Sequence, residues 1–223
     1  MALTNYGTLR AAALDWSWTT GSLTDTVMAN DIFPIVQSQV YWGDKTAGMQ
    51  PIEPLRIRSM VSTGTLTPAT GGTVTISTGV SATWLEFIEM APVYNYAYAM
   101  NYVEPWSFRK EVEALSSTQA PQWIYTVEGD TLFVAPASVG TIRATWYQKF
   151  TALGSDSSTD YIITNAPQVY LYGMIAQACL YTQDDRYPQF RAMFAGAIKA
   201  LNDTDQQQRA SGSRSVARPR VVI

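Results

Sequence analysis

The sequence predicts an α+β protein in which N-terminal and C-terminal helices form a helical bundle, joined by a large antiparallel β insertion and followed by an extended C-terminal arm. Apolar residues recur with helical spacing at about 5–45, alternate with a period of two at about 51–150, and return to helical spacing from Asn165. The expected segments are 1–50 and 151–203 for the helical domain, 51–150 for the insertion and 204–223 for the arm.

The first region has the pattern of two helices. Tyr6, Leu9, Ala13 and Trp16 recur at helical spacing and predict one apolar helix face. After a turn at 19–24, Asp31 is a candidate N-cap for the second helix, and Pro34 falls in its first turn, where a missing N–H is tolerated. Gly43 should end this helix, whose predicted apolar side consists of Ile32, Ile35, Val36 and Val40.

The central region has the alternation of β-strands. A half-buried strand is predicted at 73–77, and strands at 123–127, 131–135 and 141–149 are predicted to form a three-stranded meander. The last of these places Ile142, Ala144 and Trp146 on one face. The aromatic-rich stretch 91–114 is not assigned, except that 107–114 has the pattern of a short helix.

The third region predicts an antiparallel αα-hairpin. One helix should start at Asn165 and Pro167, and the next after the Asp184–Asp185 cap, with Pro188 in its first turn. Gly173 and Gly196 are small enough to let the two backbones approach. The residues predicted to form the core of the hairpin are Val169, Tyr172, Ile175, Cys179, Phe190, Phe194 and Leu201.

The composition of 204–223 favours an arm that orders on binding. The segment is rich in Gln, Ser and Arg and cannot form a core of its own. Its arginines can form bidentate pairs with carboxylates, and its last three residues are prone to form a strand at a partner's sheet edge. The residues predicted to contact a partner are Gln206, Gln207, Gln208, Arg209, Arg214, Arg218, Arg220, Val221, Val222 and Ile223.

The composition excludes many kinds of catalytic site. The 223 residues include no His and one Cys, which rules out imidazole bases, histidine zinc sites and a disulfide within the chain. Carboxylates are the remaining strong acid–base groups, so the pairs Glu86/Glu89 and Glu111/Glu113 are weighed as a glycosidase site. Acidic pairs at this spacing are more often a solvated face. The polar loop 154–160 lacks the glycine and glutamate of a calcium-binding loop. We therefore predict no catalytic residue, no metal and no cofactor.

Surface composition favours an interaction protein. Charged residues make up only 15% of the chain and aromatic residues 12%, a combination that suits protein interfaces. The formal net charge is −3, and the four arginines after residue 205 leave −7 for the rest. No segment has the roughly 20 consecutive apolar residues of a membrane-spanning helix, and no signal peptide pattern occurs, so we expect no membrane contact.

The order of these parts resembles bacteriophage head-to-tail adaptor (connector, or head completion) proteins of the short-tailed phage type. The likeness spans nearly the whole chain, with order and spacing contributing more than any single residue. Its landmarks are the two-helix start, the segment 55–60 at the beginning of the β insertion, the segment 129–136, the strand 145–147, Leu153, and the segment 165–173 that starts the hairpin.

The resemblance implies a structural virion protein without catalytic residues. Such a protein forms a ring, usually of twelve copies, between the portal protein above and tail nozzle, tail or fibre proteins below. Genome DNA passes through the ring without specific binding, as an acidic body would favour. The implied location is the neck of the virion, after assembly in the host cytoplasm, and the arm at 204–223 is expected to reach toward the portal.

Two other hypotheses belong to different classes. One is a carboxylate-based glycan hydrolase of the virion, and the other is a β-rich tail or receptor-binding module. The absence of His, the αα-hairpin and the basic arm favour the adaptor over the hydrolase.

Overall fold

The computed structural model describes residues 3–17, 23–94, 99–115, 123–137 and 140–212. Its helices and its antiparallel and mixed sheets confirm the predicted α+β class. The chain divides into two compact units, a helical unit of Met1–Ser59 with Thr151–Ile223 and a β-rich unit of Met60–Phe150. In the described part of the chain, no helix has the length and apolar character needed to cross a membrane.

The described residues form eight α-helices and seven β-strands. The helices are α1 (Tyr6–Ser17), α2 (Asp25–Val27), α3 (Phe33–Trp42), α4 (Ile76–Gly79), α5 (Pro105–Leu115), α6 (Tyr161–Asn165), α7 (Gln168–Tyr181) and α8 (Tyr187–Gly212). The strands are β1 (Val61–Leu66), β2 (Thr73–Thr75), β3 (Trp84–Pro92), β4 (Asn101–Tyr102), β5 (Ile124–Glu128), β6 (Thr131–Ala135) and β7 (Ile142–Gln148). A π-helical turn, Met28–Ile32, connects α2 to α3, and a 3-10 turn, Arg58–Met60, precedes β1.

Helix α7 is the centre of the helical unit. Helices α1, α3 and α8 all pack on it. Because it is surrounded, its apolar residues are buried on nearly every side, including Val169, Tyr170, Met174 and Ala178. Helices α7 and α8 are joined by the short link 182–186, as predicted, but Asn165 does not start α7: it ends α6, and Pro167 is the N-cap of α7.

The second N-terminal helical segment begins earlier than predicted. The Thr24 hydroxyl accepts a hydrogen bond from the Val27 backbone N–H at 3.3 Å, so Thr24 is the N-cap of α2. Asp31 lies exposed within the π-helical turn, not at a cap. Pro34 in the first turn of α3 and Gly43 at its end are confirmed, and Gly43 has a φ of 72° that few other residues adopt.

Two residues predicted for the apolar faces of these helices are exposed. Trp16 of α1 and Ile35 of α3 retain 52% and 48% of their accessible surface, whereas Leu9 and Val36 are buried. Helical spacing places residues on one side of a helix. The packing of the neighbouring helices decides which residues on that side are covered.

The β-rich unit is built from two sheets with a shared core. The sheet orders are β1-β7-β3 and β2-β6-β5-β4. The predicted hairpin of β5 and β6 is present, with Gly129 at a φ of 59° in its turn. The predicted three-stranded meander is wrong, because β7 pairs with β1 and β3 in the other sheet. The predicted apolar face of β7 is nevertheless correct, since it packs into the core that both sheets share.

Two shorter predictions in this unit have different outcomes. The strand predicted at 73–77 ends at Thr75, because Asp130 in the hairpin turn accepts the backbone N–H of Ile76 and of Ser77 and so starts α4. The short helix predicted at 107–114 is confirmed as α5, which extends it by a residue or two at each end.

Candidate interaction surfaces

The predicted core of the αα-hairpin consists of fully and partly buried residues. Val169, Ile175, Cys179 and Phe194 are 0–1% exposed, whereas Tyr172, Phe190 and Leu201 are half-buried. On α8 the buried side chains are those of Arg191, Phe194, Ala195 and Ile198, so the buried face is turned by about one residue from the predicted one. Cys179 is a buried free thiol whose pKa is raised by burial, which fits packing and not nucleophilic chemistry.

The two glycines of the hairpin differ in their surroundings. A Cβ atom on Gly173 would lie 2.6 Å from Cγ1 of Val36 and 3.1 Å from the ring of Phe194, so the close approach at Gly173 depends on glycine. The same atom on Gly196 would meet nothing within 4 Å, and Gly196 is exposed. The predicted role in backbone approach therefore fits Gly173 and is wrong for Gly196.

The first part of the predicted arm is helical. Helix α8 continues to Gly212, so residues 204–212 are not an extended arm in this structure. Gln206, Gln207, Gln208 and Arg209 lie on its exposed side. The other predicted contact residues of the arm, Arg214, Arg218, Arg220, Val221, Val222 and Ile223, lie outside the described residues.

A buried acid explains why the helix extends this far. The Asp205 carboxylate pairs with Arg58 Nε at 3.0 Å and with Arg209 Nε at 2.7 Å. Arg58 also donates to the Gln208 side chain at 2.5 Å. Burial opposes ionisation of Asp205, but the hydrogen bonds from Arg58 and the charge of Arg209 outweigh it and hold its pKa below the usual value. Composition alone did not reveal the Asp205–Arg58 ion pair, because the two residues are 147 positions apart in sequence.

A polar network lies inside the helical unit. Arg191, 3% exposed, donates to the Asp44 carboxylate at 2.9 Å and to the Gln50 backbone carbonyl at 3.0 Å. The Gln39 amide donates to Asp44, and the Gln177 amide donates to Gln39. Hydrogen bonds from Thr46 and then from Arg191 prevail over burial and lower the pKa of Asp44 to about 2. This network fixes the loop after α3 against α8.

The polar loop 154–160 has structural roles. Asp160 is the N-cap of α6, accepts the Ile163 N–H at 2.8 Å, and accepts the buried Tyr170 hydroxyl at 2.8 Å. Burial raises the pKa of the Asp160 carboxyl in spite of these hydrogen bonds. Asp156 pairs with Arg10 of α1, which also pairs with Asp25. These contacts fit the predicted connection to the hairpin.

Exposed aromatic and aliphatic side chains are present on both units. The helical unit exposes Trp16, Ile35, Trp42 and Tyr181, and the β-rich unit exposes Ile88, Tyr94, Tyr102 and Trp106, all by 45–69%. Trp106 also lies under the Lys110 ammonium, 4.1 Å from the ring centroid. Large apolar side chains at this exposure are suited to burial against other proteins.

A groove of about 730 Å³ runs between α8 and the loop after α3. Its floor includes Ile52 and Ala195, which are buried, and the bare backbone of Gly196. Lys45 and Lys199 stand at its rim together with Glu53. Asp44 and Ile52 exchange two backbone hydrogen bonds of 2.8 Å, which hold the loop in place.

The four acidic residues weighed as a glycosidase site all lie in the β-rich unit. Glu86 and Glu89 are exposed on β3, while Glu111 and Glu113 lie on α5. Glu89 lines a cavity of about 270 Å³ with Ala91, Arg143 and Thr145, and no second carboxylate is among these residues. Within the described ranges, no group of three or more His, Cys, Asp or Glu side chains is placed to hold a metal ion.

Comparison with known proteins gives a family match over nearly the whole chain. No curated protein matches it. The family described as SU10 adaptor protein matches residues 4–220, which include both units and most of the predicted arm. This match confirms the resemblance to phage head-to-tail adaptors that was drawn from the order of the elements. The chain therefore belongs to the SU10 adaptor protein family.

Proposed function

We propose that the protein assembles as a ring between the portal and the tail of a phage and leaves a channel for the genome. Membership in the SU10 adaptor protein family supports its coarser part, a structural role as an adaptor in the phage virion. The ring, its twelvefold copy number, the portal and tail partners and the DNA channel are parts of the proposal. The family match over 4–220 is the observation that carries it.

Surface chemistry supports a ring around DNA. Residues 1–205 have a formal charge of −7, which repels phosphate and lets a duplex pass without being gripped. A ring closed by rotation needs two different patches on each copy that fit each other. The exposed aromatic side chains of both units offer apolar area for such patches.

The segment 213–223 is proposed as the portal-binding element. Its arginines at 214, 218 and 220 can pair with portal carboxylates, and Val221, Val222 and Ile223 can add a strand to an exposed sheet edge. Arg209 and Gln208 are already engaged with the helical unit. The proposed anchor is therefore shorter than the arm predicted from composition.

Electron microscopy of the purified protein mixed with the portal ring of the same phage tests the adaptor role. Added density beneath the portal ring is expected. Absence of that density together with measurable glycan cleavage would instead support the hydrolase hypothesis. We also expect a monomer before docking, which light scattering of the purified chain measures; a stable ring formed without the portal would contradict this expectation.

Truncation after Gly212 tests the proposed anchor. This variant keeps the ion pairs of Asp205, so it should remain folded and monomeric while failing to join portal rings. A full-length variant with Arg214, Arg218 and Arg220 replaced by Ala separates the loss of charge from the loss of length. Unchanged docking of the truncated chain would assign portal binding to the folded body.

A further inference from the structure

Gly196 is a glycine that the fold of the chain does not require. It lies in the middle of α8, where glycine costs about 1 kcal/mol relative to alanine. It has no positive φ, and a Cβ atom there would meet nothing within 4 Å. Glycine permits the close approach of another backbone or of a ligand. Here no part of the described chain comes close, which leaves space for another molecule.

The groove around Gly196 is formed before anything binds. The loop on its far side is held by the paired backbone hydrogen bonds of Asp44 and Ile52 and by the bond from Arg191 to the Gln50 carbonyl. A rigid groove loses little conformational entropy on binding. Its volume of about 730 Å³ exceeds the size of any single side chain, so it can receive a large aromatic residue together with its neighbours.

The rim of the groove favours a negatively charged occupant. Lys45 and Lys199 contribute two positive charges and Glu53 one negative charge. None of the three has an ion pair to another described residue. An apolar floor with a net positive rim fits an apolar side chain that has a carboxylate beside it.

The end of α1 has the complementary chemistry. Trp16 is 52% exposed, and the adjacent Asp15 is exposed with no ion pair among the described residues. Trp16 is therefore an exposed, large apolar side chain of the helical unit with an exposed carboxylate, that of Asp15, directly before it in sequence. Trp is also among the residue types that contribute most binding energy when buried in a partner's pocket.

We propose that Asp15 and Trp16 of one copy occupy the Gly196 groove of the next copy. Trp16 would lie over Gly196 and Ala195, and the Asp15 carboxylate would pair with Lys199. Because the two patches differ, the contact is heterologous and can repeat around a closed ring. The inference rests on the proposed function, since it supplies the copy-to-copy contact of the ring.

Charge reversal on the two patches tests the pairing. The experiment measures how many copies join one portal ring as the adaptor concentration rises, by native mass spectrometry of the full-length chains. Asp15→Lys and Lys199→Glu should each raise the concentration needed for half-filling about fivefold or more, since each turns an attraction into a repulsion. The double variant should recover most of the loss. Asp203→Lys, an exposed acid on the same helix outside the groove, is the matched control and should fill rings normally.

Filling the groove gives a second readout. Gly196→Gln should leave the thermal stability of the monomer unchanged or higher, because a Cβ atom there would meet nothing within 4 Å and Gln has a higher helix propensity than Gly. The longer side chain should occupy the groove and prevent ring filling. Normal filling by Gly196→Gln, or failure of the double charge variant to recover, would overturn the proposal. If the variants instead weaken the attachment of the first copy, the groove binds the portal and the proposal is likewise wrong. Failure of the unmodified protein to join portal rings would be a failure of the proposed function, not of this contact.

Discussion

Replacing Phe194 by Ala should strongly destabilise the helical unit. The side chain is 1% exposed, and burial of an aromatic side chain removes about 150–250 Å² from water. At about 25 cal/mol per Å² this corresponds to roughly 4–6 kcal/mol as an upper estimate, and measured Phe→Ala changes in cores cost about 3–5 kcal/mol. The ring faces Gly173, which has no side chain that could move into the cavity.

Thermal unfolding followed by far-ultraviolet circular dichroism measures this change. A loss of about 3–5 kcal/mol should lower the melting temperature of the helical unit by roughly 6–20 °C. Met193→Ala is the control, because Met193 is the neighbouring residue in α8 and is 37% exposed; its effect should stay within about 0.5 kcal/mol. If Phe194→Ala melts within a degree or two of the unmodified chain, Phe194 is not part of a packed core and the account of the hairpin is wrong.

Three further predictions concern single sites of the helical unit. Gly173→Ala should destabilise the chain by about 1–2 kcal/mol, because the clash with Val36 exceeds the gain in helix propensity. Gly196→Ala should stabilise it by about 0.5–1 kcal/mol, because its added methyl group meets no clash. Urea unfolding of both variants measures these two changes in the free energy of unfolding, which should have opposite signs. Asp44→Asn should lower the free energy of unfolding by about 1.5–3 kcal/mol near neutral pH. Because the folded-state pKa of Asp44 is lowered to about 2, this difference in stability between the unmodified chain and the variant should be complete above about pH 4 and disappear as the pH falls toward 2. A stability difference that persists unchanged at pH 2 would contradict the ion pair. Asp160→Ala should lower the free energy of unfolding by about 2–4 kcal/mol, because it removes the N-cap of α6 and the hydrogen-bond partner of Tyr170. Asp160→Asn keeps an acceptor for the cap and should cost about 1 kcal/mol or less. Equal losses of stability for the two variants in chemical denaturation would show that capping is not the reason.

Local patterns in the sequence determined most of the helices and the α+β class. The spacing of apolar residues predicted α7 and α8, because a helix buried on at least one side must repeat them about every 3.6 residues. Gly129 and the alternation on either side predicted the β5–β6 hairpin, because a tight turn needs a residue that tolerates positive φ. The composition also excluded histidine and disulfide chemistry, and the order of elements pointed to the adaptor family.

Tertiary contacts decided the features that local patterns leave open. A strand with one apolar face can bury it beside a hairpin or opposite it, so the alternation in β7 could not assign its sheet. Residues 204–212 have the composition of an arm, yet they are helical with Asp205 paired to Arg58, a residue distant in sequence. The groove at Gly196 likewise combines a helix and a loop that only folding brings together. The spacing of apolar residues shows which side of a helix or strand is apolar. The neighbours of that helix or strand, its buried ion pairs and the grooves beside it depend on contacts between residues that are far apart in sequence.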